Sequence, residues 1–165
     1  MPAIPTLDDP LTDGRVALRL AAERDIPEIL IAYQDDPRMH ERLGMARPPS
    51  GAELGRMAEQ ADAERQAGRR VALTITEQGS DVCRGQLTVD QVDWEHARAE
   101  LGIWVAPQMR NHGFARAALR LTAGWVFEAC GLARLELRTE HDNEPMMRAA
   151  QAAGFVDGAM TPSDR

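Results

Sequence analysis

Hydrophobic and polar positions follow two periods along the chain, and each change of period marks an element. Val16-Ala17-Leu18-Arg19-Leu20 alternates apolar with other residues, which predicts a short strand. Asp25 is placed to cap a helix whose first turn carries Ile26, Pro27 and Glu28, and Ile29, Leu30 and Tyr33 continue its apolar stripe. Gly44 and Pro48-Pro49 break the chain. Ser50 with Glu53 then has the spacing of a capping box, opening an amphipathic helix through Leu54, Met57, Ala58 and Ala61 to about Gly68.

From Val71 the period becomes extended. Val71, Leu73 and Ile75 alternate with Ala72, Thr74 and Thr76, Gly79-Ser80-Asp81 is a turn, and Gln86 to Val89 resumes as a strand. Asp93 to Ala97 turns and Ala99 to Val105 is extended again, an antiparallel meander. Helical spacing returns after Gly113 with Phe114, Ala117, Ala118, Leu121 and Trp125, and Gly131 ends that helix in the left-handed conformation. Leu135 and Leu137 mark a strand, Pro145 to Ala153 a helix stopped by Gly154, and Phe155-Val156 the start of a last strand. No repeat or linker interrupts the series, which predicts one mixed α/β domain over residues 1–165.

Composition narrows the class. With 165 residues, 44% apolar and 27% charged, the chain suits one buried core. A net charge of −7 argues against a surface that tracks nucleic-acid phosphates, and would favour cationic substrates. Met1 to Pro10 has neither the basic start nor the apolar core of a targeting segment, and no apolar run is long enough to span a membrane. Cys83 and Cys130 fit no metal or redox spacing, so a reducing cytoplasm is the simplest setting. His40, His96, His112 and His141 are scattered, and no metal site is expected.

The chemistry gathers at one joint, where Leu101-Gly102-Ile103-Trp104-Val105 runs through Ala106-Pro107 into Arg110-Asn111-His112-Gly113-Phe114-Ala115. A helix start has free N–H groups and partial positive charge, so it attracts phosphate. Gly113 lacks the Cβ that would hold a phosphate oxygen away, and Arg110 offers paired hydrogen bonds to it. The plain alternative is a tight strand-to-helix turn, with glycine for geometry and arginine for solubility.

Arg110-x-x-Gly113-x-Ala115 resembles the R/Q-x-x-G-x-G/A pyrophosphate loop of the GNAT superfamily of N-acetyltransferases. Glu100 to Pro107 is similar to the fourth strand of its branch of ribosomal-protein N-terminal acetyltransferases (the RimJ/RimL type). Trp125-x-Phe127-Glu128-x-x-Gly131-Leu132-x-Arg134-Leu135-Glu136-Leu137 resembles its next helix and strand. Asn143-Glu144 with Ala153-Gly154-Phe155 resembles its N-x-x-S…G-F segment, and Val16-x-Leu18-Arg19 its opening strand. The likeness runs from about residue 16 to 156.

The resemblance implies a mixed, mostly antiparallel sheet splayed between the family's fourth and fifth strands, with helices on both faces. It implies acetyl-CoA, or another acyl-CoA, as co-substrate and no metal. Pantetheine would lie along Ile103, Trp104 and Val105, pyrophosphate on Arg110, Asn111, His112, Gly113, Phe114 and Ala115, and Asn143 would touch the pantetheine arm or cap the helix after it. The reaction implied is direct attack of a primary amine, on a small molecule or a protein N-terminus, with the oxyanion met by backbone N–H near Trp104 or Val105. Strand parity puts Ala99, Leu101, Ile103 and Val105 on one face and Glu100, Gly102 and Trp104 on the other. Glu100 is then either the base, desolvated beside Trp104, or an ion-pair partner of an arginine on a neighbouring strand.

Two departures from the family stand out. Met146 occupies the serine position of N-x-x-S and cannot donate a proton, and neither Tyr33, Cys130 nor His112 replaces it convincingly. Residues 156–165 are too few and too turn-like for the family's closing hairpin, so the sheet edge there is expected to stay open, favouring a homodimer by edge pairing or by exchange of a C-terminal segment unless the chain is incomplete. A non-catalytic acyl-CoA-binding module and a nucleotide-binding α/β protein are the other classes considered. The latter lacks a Walker lysine-serine pair and a G-x-G-x-x-G run.

Overall fold

Where the sequence alternates the backbone is extended, and each strand pairs with the next in chain order. The computed structural model describes residues 2–139 and 143–164, and among these β1 (Leu11–Thr12), β2 (Val16–Leu20), β3 (Val71–Glu77), β4 (Gly85–Asp93), β5 (Arg98–Val105), β6 (Arg134–Leu137) and β7 (Ala159–Met160) form one sheet in sequential order. Every neighbouring pair is antiparallel except β5 and β6, which run parallel. A parallel pair needs a crossover, and α4 (Phe114–Glu128) supplies it.

The two faces are covered by different helices. Val16, Leu18, Leu73, Ile75, Leu87, Leu101 and Ile103 point to one side, where Phe114, Ala118, Leu119 and Val126 of α4 and Ala150 and Ala153 of α5 (Glu144–Ala153) bury them. Trp104 points to the other side, against Ile29, Ala32 and Tyr33 of α1 (Ile26–Asp35) and Met39 of the short α2 (Met39–Arg42), with Leu54 of α3 (Gly51–Gln66) packed on them. The alternation expected within β5 is therefore realised.

Three local expectations change. Asp25 precedes α1 but makes no side-chain cap on it. Its carboxylate, 2% exposed, accepts instead from the Ala22 N–H, from Thr74 Oγ1 at 2.7 Å and from Arg19 at 2.7 Å, tying β2, β3 and the entry to α1 together. Burial pushes this carboxyl up, but those donors outweigh it and hold it below the usual range. The second change is at residues 155–160. Asp157 (φ 52) and Gly158 (φ 80) form a tight turn that bridges Val156 to Ala159, so the last strand is β7 rather than Phe155-Val156. The third follows from it: β7 pairs with β6, Leu135 with Met160 and Glu136 with Ala159, and covers the edge expected to be bare. The ground for edge-to-edge pairing at β6 is thereby removed. Among the described residues no helix is long and apolar enough to cross a membrane.

Candidate active site

The β5–β6 pairing ends early. Its last paired residues are Leu101 and Leu137, followed by one more bond from the Arg138 N–H to the Leu101 carbonyl. Beyond that point β5 stays paired with β4 as far as Val105, while its other side is free of β6. Backbone direction alternates along a strand, so the residues in phase with Leu101, namely Ile103 and Val105, turn their N–H groups to the gap. Trp104 is out of phase and faces Gln86 on β4. Of the two N–H groups expected near an oxyanion, that of Trp104 therefore faces β4 and only that of Val105 faces the gap.

The same strand leads through a 3-10 turn at Pro107–Met109 into Arg110–Gly113 and α4. Gly113 occupies the N-cap position at φ 80 with no side-chain cap, and the first backbone bond of the helix runs from the Ala117 N–H to the Gly113 carbonyl. The N–H groups of Phe114, Ala115 and Arg116 thus precede the helical ladder and carry its positive end. A left-handed φ already favours glycine at Gly113, and a Cβ built there would be in ordinary contact with Arg15, 3.4 Å from Nη1. Asn111 also has positive φ, 65°, a conformation asparagine tolerates better than most residues.

Gap and helix start open into one groove of about 550 Å³. Nine of the ten cofactor-binding candidates line it: Ile103, Trp104, Val105, Arg110, Asn111, Gly113, Phe114, Ala115 and Asn143. His112 does not; it is exposed, and its carbonyl accepts a hydrogen bond from Arg15, whose guanidinium also lies 5.9 Å over the Phe114 ring.

Arg110, expected to offer paired hydrogen bonds to phosphate, is fixed in place by hydrogen bonds of its own. Its Nε donates to the Val105 carbonyl at 3.0 Å and its Nη2 to Asp36 Oδ2 at 2.7 Å, and the same carboxylate oxygen accepts from Arg42 at 2.8 Å. Asp36, just after α1, thus joins the helix start to the α1–α2 segment. Burial pushes its carboxyl up, but the hydrogen bond and charge of Arg110, with Arg42, outweigh this and hold it below the usual range.

Glu100 makes the ion pair that one of its two readings expects. Its Oε2 accepts from Arg138 Nη1 at 2.9 Å, and the same nitrogen reaches Asp90 Oδ1 at 2.8 Å. The Glu100 side chain is 38% exposed and is absent from the groove wall, whereas Arg138 lines it. The Arg138 guanidinium lies across Gly102, where a Cβ would come within 2.8 Å of Nη2, so glycine there leaves room for it.

Asn143 sits at the N-cap position of α5 but makes no cap; its Nδ2 donates to Thr139 Oγ1 at 3.4 Å. Met146 lines the groove nearby. Neither Tyr33 nor Cys130 lines the groove: Tyr33 is buried against Trp104, ring centroids 6.3 Å apart, and burial pushes its phenol up to about 12 and the Cys130 thiol up to about 11. Among the described residues no His, Cys, Asp and Glu cluster could hold a metal ion; His141 lies outside them. Sequence reasoning singled out none of Asp36, Arg138, Thr139 and the groove arginines Arg38, Arg42, Arg116 and Arg148, although the resemblance assigns the acceptor to residues 33–55, which include Asp36, Arg38 and Arg42. Only Arg138, directly after a predicted strand, had a local signal.

A family profile described as acetyltransferase (GNAT) domain matches residues 15–156. The chain is 26% identical over 145 residues to YdaF of Bacillus subtilis (strain 168), provisionally named a ribosomal N-acetyltransferase, a match covering 86% of this chain and 78% of that one. Among solved structures, Mycobacterium smegmatis RimJ in complex with CoA-disulfide superposes with a TM-score of 0.78 at 24% identity, over 90% of this chain and 83% of that one. Spermidine N-acetyltransferase from Vibrio cholerae, in complex with CoA and spermine, gives 0.74 at 18% identity over 87% and 82%. At these identities the structural likenesses speak for the fold.

Proposed function

The chain belongs to the acetyltransferase (GNAT) domain family and is an N-acetyltransferase, and from that membership we propose that its groove binds acetyl-CoA along β5 and on the first turn of α4, and passes the acetyl group to a primary amine. The observation that carries this reading is the coincidence of two unsatisfied backbone surfaces in one cavity: the β6-free side of β5 and the uncapped start of α4. The residues fit the cofactor. N–H groups of Phe114, Ala115 and Arg116 would receive the pyrophosphate, as helix starts do. Ile103 and Val105 would pair with the pantetheine amides as an added strand, beside Asn143 and Met146.

Chemically, the amine nitrogen bonds to the thioester carbon, the C–S bond breaks, and coenzyme A leaves. The ammonium first gives up one proton, the neutral amine then attacks, its nitrogen loses a second proton as the tetrahedral intermediate collapses, and the leaving thiolate takes one up. The Val105 N–H would meet the developing oxyanion. Since Glu100 is committed to Arg138, we assign it a positioning role rather than that of base, and the amine proton passes to water in the open groove. Relatives named for ribosomal proteins and for spermidine bracket the acceptor. For this chain we propose a small-molecule amine or a protein N-terminus, acted on in the cytoplasm. Free-thiol release from acetyl-CoA with an amine panel tests the activity. Acetyl-CoA that neither binds nor yields thiol with any amine refutes it.

A further inference from the structure

The acid-rich chain and its groove have opposite signs. Net charge is −7, yet Arg38, Arg42, Arg110, Arg116, Arg138 and Arg148 line the groove, and among the described residues no aspartate or glutamate does. A second cavity of about 430 Å³ between α3 and the sheet is balanced instead, with Asp62 and Glu64 beside Arg65 and Arg70. Among the described residues, the arginine-only charge of the wall thus belongs to this groove and not to the second cavity.

The arginines divide by position. Arg116 on α4 and Arg148 on α5 flank the helix start, where the cofactor phosphates would lie. Arg110 and Arg42 share Asp36, and Arg138 is held by Asp90 and Glu100. Arg38 remains, on the α1–α2 side of the groove with Met39 and Leu43. It is 61% exposed and has only a loose contact with Glu41, 3.4 Å away. This wall lies on the Trp104 face of β5, from which an amine would approach the acyl carbon. An approaching polyamine would meet the guanidinium groups of Arg38 and Arg42 there, because their partners Glu41 and Asp36 stand behind them and do not line the groove. A carboxylate or phosphate would meet guanidinium forks suited to paired hydrogen bonds. The chain also has no lysine: all 19 of its basic residues are arginine. An arginine wall attracts anions without offering the thioester a competing amine, because guanidinium stays protonated.

Resting on the acetyl-transfer reading above, we propose that the acceptor is an anionic amine, its amino group over Gly102–Trp104 and its carboxylate or phosphate on Arg38 and Arg42. Acceptor kcat/KM, by free-thiol release at saturating acetyl-CoA, is measured for a peptide with two aspartates after an N-terminal serine and for its asparagine counterpart. Free aspartate, glucosamine 6-phosphate and spermidine complete the panel. The expected result is that the acidic peptide or one of the small anions exceeds the asparagine peptide and spermidine by about tenfold or more, an advantage that shrinks as salt screens it. Which anion leads tells a protein terminus from a metabolite. Arg38→Glu is expected to abolish that advantage with acetyl-CoA affinity unchanged. Equal or better rates with spermidine or the asparagine peptide overturn the proposal, as does an Arg38→Glu variant that loses acetyl-CoA instead of acceptor. Failure of the underlying reading is separately visible as absence of acetyl-CoA binding.

Discussion

Two long helices of this protein begin in opposite ways. At α3 the Ser50 Oγ accepts from the Glu53 N–H at 3.1 Å, and the Glu53 carboxylate accepts from the Ser50 N–H at 3.1 Å, so the start is closed by its own side chains. A negative carboxylate already occupies its positive end, and the hydrogen bonds from Arg47 and Ser50 hold Glu53 down to about 2. At α4 the N-cap is Gly113, with no side chain to offer and no acid in the first turn. One helix is finished without a ligand; the other exposes the same chemistry to a groove beside an unpaired strand. Where a chain stabilises most of its elements locally, the place it leaves open is informative about function.

The difference can be broken most strongly by closing α4. Gly113→Asp supplies a carboxylate at the open start and is expected to weaken acetyl-CoA binding about 100-fold, roughly 2.7 kcal/mol, in a calorimetric titration. A melting curve checks that the strained φ does not unfold the variant. Unchanged affinity would move the phosphate site away from α4.

Asp36→Asn loosens the α4 approach instead of closing it, and is expected to cost about 1.5–2 kcal/mol of stability at neutral pH, as for hydrogen bonds to charged groups. The sign of its pH dependence follows from the lowered carboxyl. Its contribution is complete above the unfolded aspartate value of about 3.9 and is lost as pH falls through the folded one. Denaturant midpoints of the two proteins are therefore expected to converge in acid; a constant gap would show that the carboxylate charge is irrelevant.

Glu100→Gln sharpens the account of the same groove. As a positioning residue, its loss is expected to lower kcat by no more than about tenfold, about 1.4 kcal/mol, by a similar factor from pH 6 to 9. A deficit confined to low pH would restore Glu100 as the base.

Much of this was legible in the sequence, and what was not has a common cause. The alternation of β2 to β5, the Ser50–Glu53 box and the apolar stripe of α4 are local patterns, and each appears where expected. The gap between β5 and β6 followed from family resemblance and is present in the register. The commitments of Arg110 to Asp36 and of Glu100 to Arg138 span 74 and 38 residues, and no local spacing encodes them. The two-residue β1 and the four-residue α2 are too short to show a period. The turn before β7 is different: Asp157-Gly158 is a hairpin dipeptide, and its signal was present but overlooked.

The smallest effect belongs to the closed helix. Ser50→Ala is expected to cost about 1 kcal/mol in urea unfolding and to leave acetyl-CoA affinity alone. A change in affinity would mean that α3 also takes part in the cofactor site.

The most direct test of the groove's two open backbone surfaces is amide hydrogen exchange with and without saturating acetyl-CoA. Ile103, Val105, Phe114, Ala115 and Arg116 are expected to gain protection together, while Gly51, Ala52 and Glu53 at the closed start of α3 stay as they were. Protection that appears at α3, or that leaves both β5 and α4 unchanged while acetyl-CoA is bound, would contradict the assignment of the cofactor to this groove.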